Sequence, residues 1–380
     1  MLLAPLEGTV VFPNLRSLMH ELSMDDSARL SLILSASLRN ITFSGGLEVN
    51  LFADDGIRMV CKSVRWLERL TVRSKITSLE GIMELSALPC LQSLDIRFDV
   101  ITDCRKALSR TTETLFFPSL HALCLGVSAY EIRDVDATTL PPIRNAIALL
   151  RAMKTAGTPL RELSVELIGS PTQQTLHSIC SSIAAFTPLL TACAFHLHHL
   201  HPYPSMEVPA NATDIHSISP LLQIPCMHTF DTYMTYFVPS NPDLDLMTKA
   251  WPHLTELTLG DQSWESSSNL TVDHLAAIAA GCPTLKRLGV NVSDPPGSNA
   301  LCVVSQHTSL SALDLGWSNI TRNFEAVAIF VGRLFPKATV SFYSRNLDGT
   351  KIWKKTLRAT QNAERELLGV VSQMKSSSLS

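Results

Sequence analysis

The feature that most constrains the fold is a short apolar pattern that returns along the chain. Leu254, Leu257 and Leu259 have the spacing L-x-x-L-x-L, and a copy that begins at Leu285 follows 31 residues later (285 − 254). Alternating buried residues are typical of a β-strand with one face in the core. Recurrence of one motif at such a distance is typical of proteins built from stacked structural repeats.

A helix is predicted between these two copies. Val272, Leu275 and Ala279 recur at the three-to-four residue spacing of a helix with one buried face. Thr271 is the expected N-cap and Gly281 the expected stop. A strand and a helix of this size cannot bury their apolar faces alone, so each unit needs a neighbour on both sides. The pattern therefore predicts a solenoid.

Copies of the pattern extend over most of the chain. They begin, in order, at Leu15, Leu38, Leu67, Leu91, Leu120, Leu160, Leu190, Met227, Leu254, Leu285 and Leu310, with a last partial copy at Val340 and Phe342. Successive copies are 23 to 40 residues apart. Most steps lie at or above the upper part of the usual range of about 20–29 residues, which favours true helices between the strands. We predict an α/β solenoid with a curved parallel sheet on its concave face and helices on its convex face.

The two ends of the chain are assigned by the same pattern. Residues 1–11 precede the first copy and form an N-terminal tail, and residues 12–343 hold about eleven irregular repeats. Residues 344–380 are predicted as a C-terminal capping helix followed by a disordered tail, because terminal repeats need a cap with a polar outer face. The helix is expected over residues 351–374. Its packing residues are expected to be Ile352, Leu357, Leu367 and Val370.

The best-preserved copies resemble a known family. The run A-W-P-H-L-T-E-L-T-L-G from residue 250, followed by L-A-A-I-A-A-G-C-P-T-L-K-R-L-G-V, resembles the leucine-rich repeats of the F-box-like proteins of mushroom-forming fungi (basidiomycetes). The resemblance covers roughly residues 12–340. It implies a substrate-receptor role in cullin-RING ubiquitin ligases, where an F-box docks on the ligase adaptor and the repeats hold the substrate. The resemblance implies an N-terminal F-box with an L-P-x-E-[IL]-L run, but Phe12-Pro13 already opens the first repeat. The expectation is a chain without this F-box, as a fragment, a mis-predicted gene start or an F-box-less relative.

Charge and cysteine content narrow the class of partner. A net charge of −3 gives no reason to expect general binding to nucleic acid or to an anionic membrane. The basic cluster Lys351, Lys354, Lys355 and Arg358 is interpreted as the solvated face of a helix. Nine scattered cysteines without a C-x-x-C pair are typical of core residues in a reducing compartment. Without a secretory signal, a cytoplasmic or nuclear location is expected.

One uncharged stretch could be mistaken for a membrane span. Residues 179–197 carry no formal charge but include Pro188 and several hydroxyl side chains. The repeat explains this stretch better as a helix, a proline break and a strand.

Catalytic motifs are missing from the sequence. There is no G-x-S-x-G, no G-x-x-x-x-G-K-[ST] and no G-x-G-x-x-G after a strand. We therefore predict no enzymatic activity and no cofactor. A hydrolase stays open as a third hypothesis, because acids or nucleophiles could converge across strands in a way that sequence spacing does not reveal.

A histidine cluster, His196-Leu-His-His-Leu-His201, is the one candidate for metal binding. His196 and His198 would face the same side of a strand, where two imidazoles could hold zinc or nickel. No carboxylate or cysteine stands at a familiar spacing to complete the set. The favoured interpretation is a group of polar residues at a strand end, and no metal site is assigned.

A binding surface is predicted on the concave face, because the residues between the buried leucines alternate outward. Positive charges fall in the early copies and negative charges in the later ones, which suits a dipolar partner. Two tryptophans just after strands are expected on the loop edge as interface anchors, unless they pack over the core edge. The candidate partner-binding residues are Arg69, Thr71, Arg73, Asp95, Arg97, Glu162, Glu166, Glu256, Trp264, Arg287, Asn291, Asp314 and Trp317.

Two functions follow from this surface. The first is a non-catalytic protein-recognition module of the substrate-receptor type, with a protein substrate on the repeats and the ligase adaptor and cullin as further partners. The second is a free-standing leucine-rich-repeat scaffold or inhibitor with no link to ubiquitin. Insertions within residues 126–142 and 201–214 lengthen two repeats, and they are either part of a binding edge or neutral.

Overall fold

The chain folds as two compact units, Met1–Ala194 and Phe195–Ser380. The structure is a computed structural model. It describes residues 12–21, 33–44, 50–76, 79–98, 116–129, 141–169, 171–198, 214–232, 237, 239–259, 270–293, 306–316, 318, 320, 324–342 and 347–377.

The first unit alternates strands with helices in chain order. Each strand pairs in parallel with the one before it. The strands are β1 (Ser17–Glu21), β2 (Asn40–Ser44), β3 (Arg69–Ile76), β4 (Ser93–Phe98), β5 (Ala122–Ala129) and β6 (Glu162–Gly169). The helices are α1 (Asn50–Ser63), α2 (Leu79–Ser86), α3 (Pro141–Thr155) and α4 (Gln173–Ala184).

The second unit has the same plan. Strand β7 (Ala192–His198) starts where the first unit ends, and β8 to β12 pair in parallel in chain order. These strands are β8 (Met227–Asp231), β9 (Glu256–Leu259), β10 (Arg287–Val290), β11 (Ala312–Asp314) and β12 (Thr339–Ser341). The helices are α5 (Ile215–Ile218), α6 (Asn241–Ala250), α7 (His274–Gly281), α8 (Phe324–Leu334) and α9 (Leu347–Ser377).

The repeated apolar positions form the core of each unit. Leu254, Leu257 and Leu259 are each at most 3% exposed, as are their counterparts in the strongest copies of the first unit. Every copy predicted from the sequence, including the weak one at Met227, carries a strand. The predicted leucine-rich-repeat solenoid is therefore confirmed in both units.

A backbone seam joins successive repeats. The carbonyl of the residue just before one strand accepts hydrogen bonds from two consecutive N–H groups of the next repeat. Arg39 accepts from Glu68 and Arg69 in this way, at 2.8 and 2.9 Å, and Thr255 accepts from Lys286 and Arg287 at 2.8 and 3.1 Å. The seam pairs polar groups that a short strand would otherwise leave unpaired at its end.

Buried side chains add further bonds between repeats. The indole N–H of Trp251 donates to the backbone carbonyl of Leu221, which precedes β8, at 3.0 Å. His307 accepts from the backbone N–H of Leu310 through Nδ1, at 3.2 Å, so its Nε2 carries the proton that it donates to the Cys282 carbonyl at 2.9 Å. Each bond satisfies a polar group inside the core and fixes the register of neighbouring repeats.

The C-terminal cap is built differently from the prediction. Ile352 was expected to pack, but it is 50% exposed, and the neighbouring Trp353 is buried instead. Buried Leu357 and Gln361 follow Trp353 on one stripe of α9. Gln361 donates its side-chain amide to the carbonyls of Phe335 and Ala338, at 3.1 and 2.9 Å, and so satisfies carbonyls that follow α8.

Two helix boundaries differ from the prediction. Helix α7 begins at His274 with Asp273 at the N-cap rather than just after Thr271, because Thr271 forms an isolated β-bridge with Ser293. Helix α9 extends to Ser377 and so includes the start of the stretch predicted as a disordered tail. The side chains of the predicted packing residues Leu367 and Val370 are outside the described residues. The N-terminal tail is outside them too, and so are both insertions except for residues at their ends.

The uncharged stretch over residues 179–197 folds as predicted. It contains the end of α4, the proline break and most of β7. Among the described residues, no helix combines the length and the apolar character that crossing a membrane would require.

Gly281 allows helices α6 and α7 to approach closely, and this gives a first prediction. A Cβ at Gly281 would lie 2.4 Å from the Cβ of Thr248. Gly281→Ala should therefore lower the free energy of unfolding by about 1–3 kcal/mol through overpacking. Helix propensity alone would raise it by about 0.5–1 kcal/mol, so the sign of the change decides between the two effects.

Urea unfolding followed by far-UV circular dichroism measures this change. Ala280→Ser is the matched control, because Ala280 is exposed on the same helix and the substitution should stay within about 0.5 kcal/mol of the parent. A more stable Gly281→Ala protein would show that the two helices do not meet at this point.

Candidate functional site

Side chains between the buried leucines form one face of the sheet, which we call the polar face. In the first unit, strand register aligns these side chains in rows. One row holds Arg69, Ser93, Ala122 and Glu162, and the next holds Thr71, Asp95, Cys124 and Ser164. A third row holds Arg97, Gly126 and Glu166.

The sign of the charge changes across this face. Arg69 and Arg97 lie on β3 and β4, with Asp95 beside them, whereas Glu162 and Glu166 lie on β6. Strand β5, between them, contributes no charged side chain. The predicted separation of positive and negative charge therefore falls within the first unit.

Gly126 leaves room for two charged side chains of the third row. A Cβ at this position would lie 3.2 Å from Cγ of Arg97 and 3.7 Å from Oε2 of Glu166. Because Gly126 stands between these two residues in the row, both side chains approach the space that a larger residue would fill.

The thiol on this face is not a nucleophile at neutral pH. Burial, together with the negative charge of Asp95, raises the pKa of the Cys124 thiol to about 11. Burial likewise raises the pKa of the Cys61 and Cys282 thiols to about 12. Because the thiolate is the reactive form, these groups stay protonated and inert.

The polar face of the second unit carries charges of both signs on neighbouring strands. Glu256 and Arg287 are register partners on β9 and β10, and their side chains form an ion pair at 3.7 Å while remaining 42% and 68% exposed. An ion pair this exposed contributes little to stability, so both groups are available to a ligand. Asp314 on β11 accepts a hydrogen bond from the N–H of Gly316 at 2.9 Å, which ties its carboxylate to a turn.

Some predicted site residues lie elsewhere. Asn291 is only 5% exposed and does not belong to the polar face, because β10 ends at Val290 and strand alternation no longer applies beyond it. Arg73 lies within β3 beside a register shift, and its side chain is outside the described residues. Trp264 and Trp317 are also outside the described residues, so their role as interface anchors stays a prediction.

Residues of the histidine cluster meet a carboxylate that sequence reasoning missed. His196 and His198 lie on β7 with their rings stacked, 6.0 Å between centroids and 12° between planes. Oδ2 of Asp231, at the end of β8, lies 3.5 Å from Nδ1 of His196. One ligand atom from each of the three residues lies within 4.8 Å of the other two.

The aromatic residues beneath the cluster explain why the carboxylate arrives there. Phe195 and Phe230 stack in the core, with 5.9 Å between centroids and 17° between planes. Each precedes a member of the cluster by one residue, so the stacked pair brings Asp231 beside His196. The two rings occupy different repeat positions, because Phe195 is the third apolar residue of its copy and Phe230, the register partner of Leu257, is the second. Remaining members of the histidine run, residues 199–201, are outside the described residues.

Comparison with known proteins adds little to this description. No protein-family model matches the chain, and no curated protein sequence is similar to it. Among solved structures, the chain is similar to the one titled "Crystal structure of TLR13-ssRNA13 complex", at 12% identity and a TM-score of 0.27, over 89% of this chain and 54% of that chain. The chain thus spans about half the length of that protein. The leucine-rich-repeat assignment stands on the strand order and register described above.

Proposed function

We propose that the chain is a non-catalytic recognition module that binds a protein ligand on the polar face of the first unit. The observation that carries this proposal is the change in charge sign from β3 and β4 to β6 on one rigid sheet. Opposite charges held on a fixed scaffold select a partner by electrostatic complementarity and exclude partners with the reverse arrangement.

The construction of the face supports binding rather than chemistry. Its side chains stand on paired parallel strands, so the backbone beneath them needs no ordering when a ligand binds. Arginine, which is enriched at protein interfaces, supplies the positive end through Arg69 and Arg97. The Cys124 thiol in the middle of the face is protonated at neutral pH, so it does not provide a nucleophile.

The finer proposal is a substrate receptor of a cullin-RING ubiquitin ligase. It is supported by the resemblance of the repeats, clearest from residue 250 to Val290, to those of F-box-like proteins. In that role the repeats hold a protein substrate, and the adaptor and cullin bind away from the polar face, through an F-box that is supplied or mimicked. The alternative is a free-standing scaffold or inhibitor that uses the same face without a ligase.

Affinity capture tests both the recognition module and the finer proposal of a ligase substrate receptor. It uses two double variants with matched changes of charge. Arg69→Glu/Arg97→Glu reverses the positive end of the polar face. Lys62→Glu/Arg151→Glu makes the same change of charge on exposed positions of α1 and α3, away from that face. Melting temperatures equal to that of the parent chain would establish that both variants are folded.

We expect ligands captured by the parent chain to be recovered at least about tenfold less with the polar-face variant, and unchanged with the helix variant. Equal recovery with both variants would contradict binding at this face. Mass spectrometry of the captured proteins separates the finer hypotheses. Adaptor and cullin retained by both variants would support the receptor, whereas a face-dependent ligand without them would support the scaffold.

A further inference from the structure

We propose that His196, His198 and Asp231 form a binding site for one divalent transition-metal ion, Zn²⁺ foremost, on the polar face of the second unit. The inference is independent of the proposed function, because it rests on three side chains of β7 and β8 and not on any protein ligand. Two imidazole nitrogens and one carboxylate oxygen are a ligand set that zinc accepts in proteins.

The separations between ligand atoms suit a metal of this size. Zinc lies about 2.0–2.2 Å from nitrogen and oxygen ligands, so two ligands at tetrahedral positions are about 3.4 Å apart. Nδ1 of His196 and Oδ2 of Asp231 are 3.5 Å apart, close to that value. The donor atom of His198 lies within 4.8 Å of the other two. It must therefore move by up to about 1.4 Å to reach tetrahedral spacing.

The core beneath the site holds the three ligands in place. Phe230 stacks on Phe195 and also contacts the buried rings of Trp251, at 4.9 Å, and Phe237, at 6.0 Å. These contacts fix β7 against β8, and the ligands are the residues next to the stacked pair. A site built on packed strands is more precise than one built on loops, because the supporting side chains cannot shift independently.

Partial burial strengthens metal binding without closing the site. All three ligands are half-buried, and the side chains of His196 and Asp231 are 27% and 21% exposed. Three protein ligands leave at least one coordination position of zinc open, in contrast to structural sites with four ligands. That position faces the polar side of the sheet, where water or a donor atom from another molecule completes the coordination.

A metal ion and a proton compete for such a site, because zinc binds the neutral form of imidazole. Oδ2 of Asp231 lies 3.5 Å from Nδ1 of His196, so the carboxylate faces the positive charge that a bound metal supplies.

The test uses the full chain. It is purified with a tag that contains no histidine, so that the only histidines present are the 12 of the chain itself. Zinc chloride is titrated by calorimetry, and Co²⁺ serves as a spectroscopic probe of coordination number. His196→Gln, His198→Gln and Asp231→Asn each remove one ligand. His253→Gln is the matched control, since His253 is exposed and lies just before β9 in the same unit.

We expect one zinc ion per chain, and a loss of affinity of at least about tenfold in each ligand variant but not in His253→Gln. Zinc should also raise the melting temperature of the parent chain and of the control, but not that of the ligand variants. This second readout separates a lost site from a lost fold, because each variant is first melted without metal. Asp231→Asn keeps the shape of the side chain and is the variant least able to disturb folding.

Two outcomes would overturn the proposal. The first is a parent chain that binds neither zinc nor cobalt. The second is metal binding that survives unchanged in both His196→Gln and Asp231→Asn. The second outcome would assign the metal to other histidines of the chain, including those of residues 199–201.

Discussion

Trp251→Ala is expected to lower the free energy of unfolding by about 3–5 kcal/mol. The indole is fully buried and contacts the ring of Phe230 at 4.9 Å. It also donates a hydrogen bond of 3.0 Å to the Leu221 carbonyl. Alanine would therefore leave a cavity and remove one of the two donors to the Leu221 carbonyl, which keeps the backbone N–H of Ile224 at 3.0 Å.

Two further variants separate these costs in urea unfolding followed by far-UV circular dichroism. Trp251→Phe keeps most of the ring but removes the donor, so a smaller loss of about 1–3 kcal/mol is expected. Trp66→Ala removes a tryptophan that is 57% exposed and should change stability by about 0.5 kcal/mol or less. Similar effects of Trp66→Ala and Trp251→Ala would show that position 251 does not anchor the core.

Trp353→Ala is expected to detach the C-terminal cap. Trp353 is 1% exposed and packs on Phe342, with 4.9 Å between ring centroids, and Phe342 in turn contacts Phe324 at the start of α8. A loss of about 3–5 kcal/mol is expected for an aromatic ring of this burial. Because each repeat contacts mainly its neighbours, amide hydrogen exchange should accelerate in α8 and α9 while remaining slow in β8.

Ile352→Ala is the control on the same helix. Ile352 is 50% exposed, so its truncation should leave both the exchange pattern and the stability within about 0.5 kcal/mol of the parent. Faster exchange spread evenly over the second unit after Trp353→Ala would argue against a local cap. It would show instead that this unit unfolds as one cooperative block.

The repeat register was predictable because strands β2 to β11 bury the same positions, whereas Leu18 of β1 and Val340 of β12 are only half-buried. Leu254, Leu257 and Leu259 define the pattern, and even the weak copy at Met227 lies on a strand. The orientation of α9 was not predictable in the same way. Its buried stripe includes Gln361, whose amide donates to two carbonyls, and an apolar pattern cannot anticipate a buried polar residue.

The candidate site was predictable only as far as strand alternation reaches. Alternation places Arg69 and Arg97 on the polar face but fails at Asn291, which lies just past the end of β10. Asp231 was missed because its repeat has Thr232 at the third apolar position, which weakens the pattern and hides the register. Sequence distance also conceals the cluster, since Asp231 and His196 meet only through the pairing of repeats.

The seam between repeats has a consequence for how such a chain can change in evolution. The carbonyl that accepts two N–H groups belongs to arginine at Arg39, glutamate at Glu68, histidine at His121 and lysine at Lys286. Because the contact is made by the backbone, no particular side chain is required there, and comparison by residue identity finds no signature at this position. Duplication or loss of one whole repeat would recreate the same two donors and one acceptor at the new junction. The length of the array is therefore open to change by recombination without a new interface having to arise.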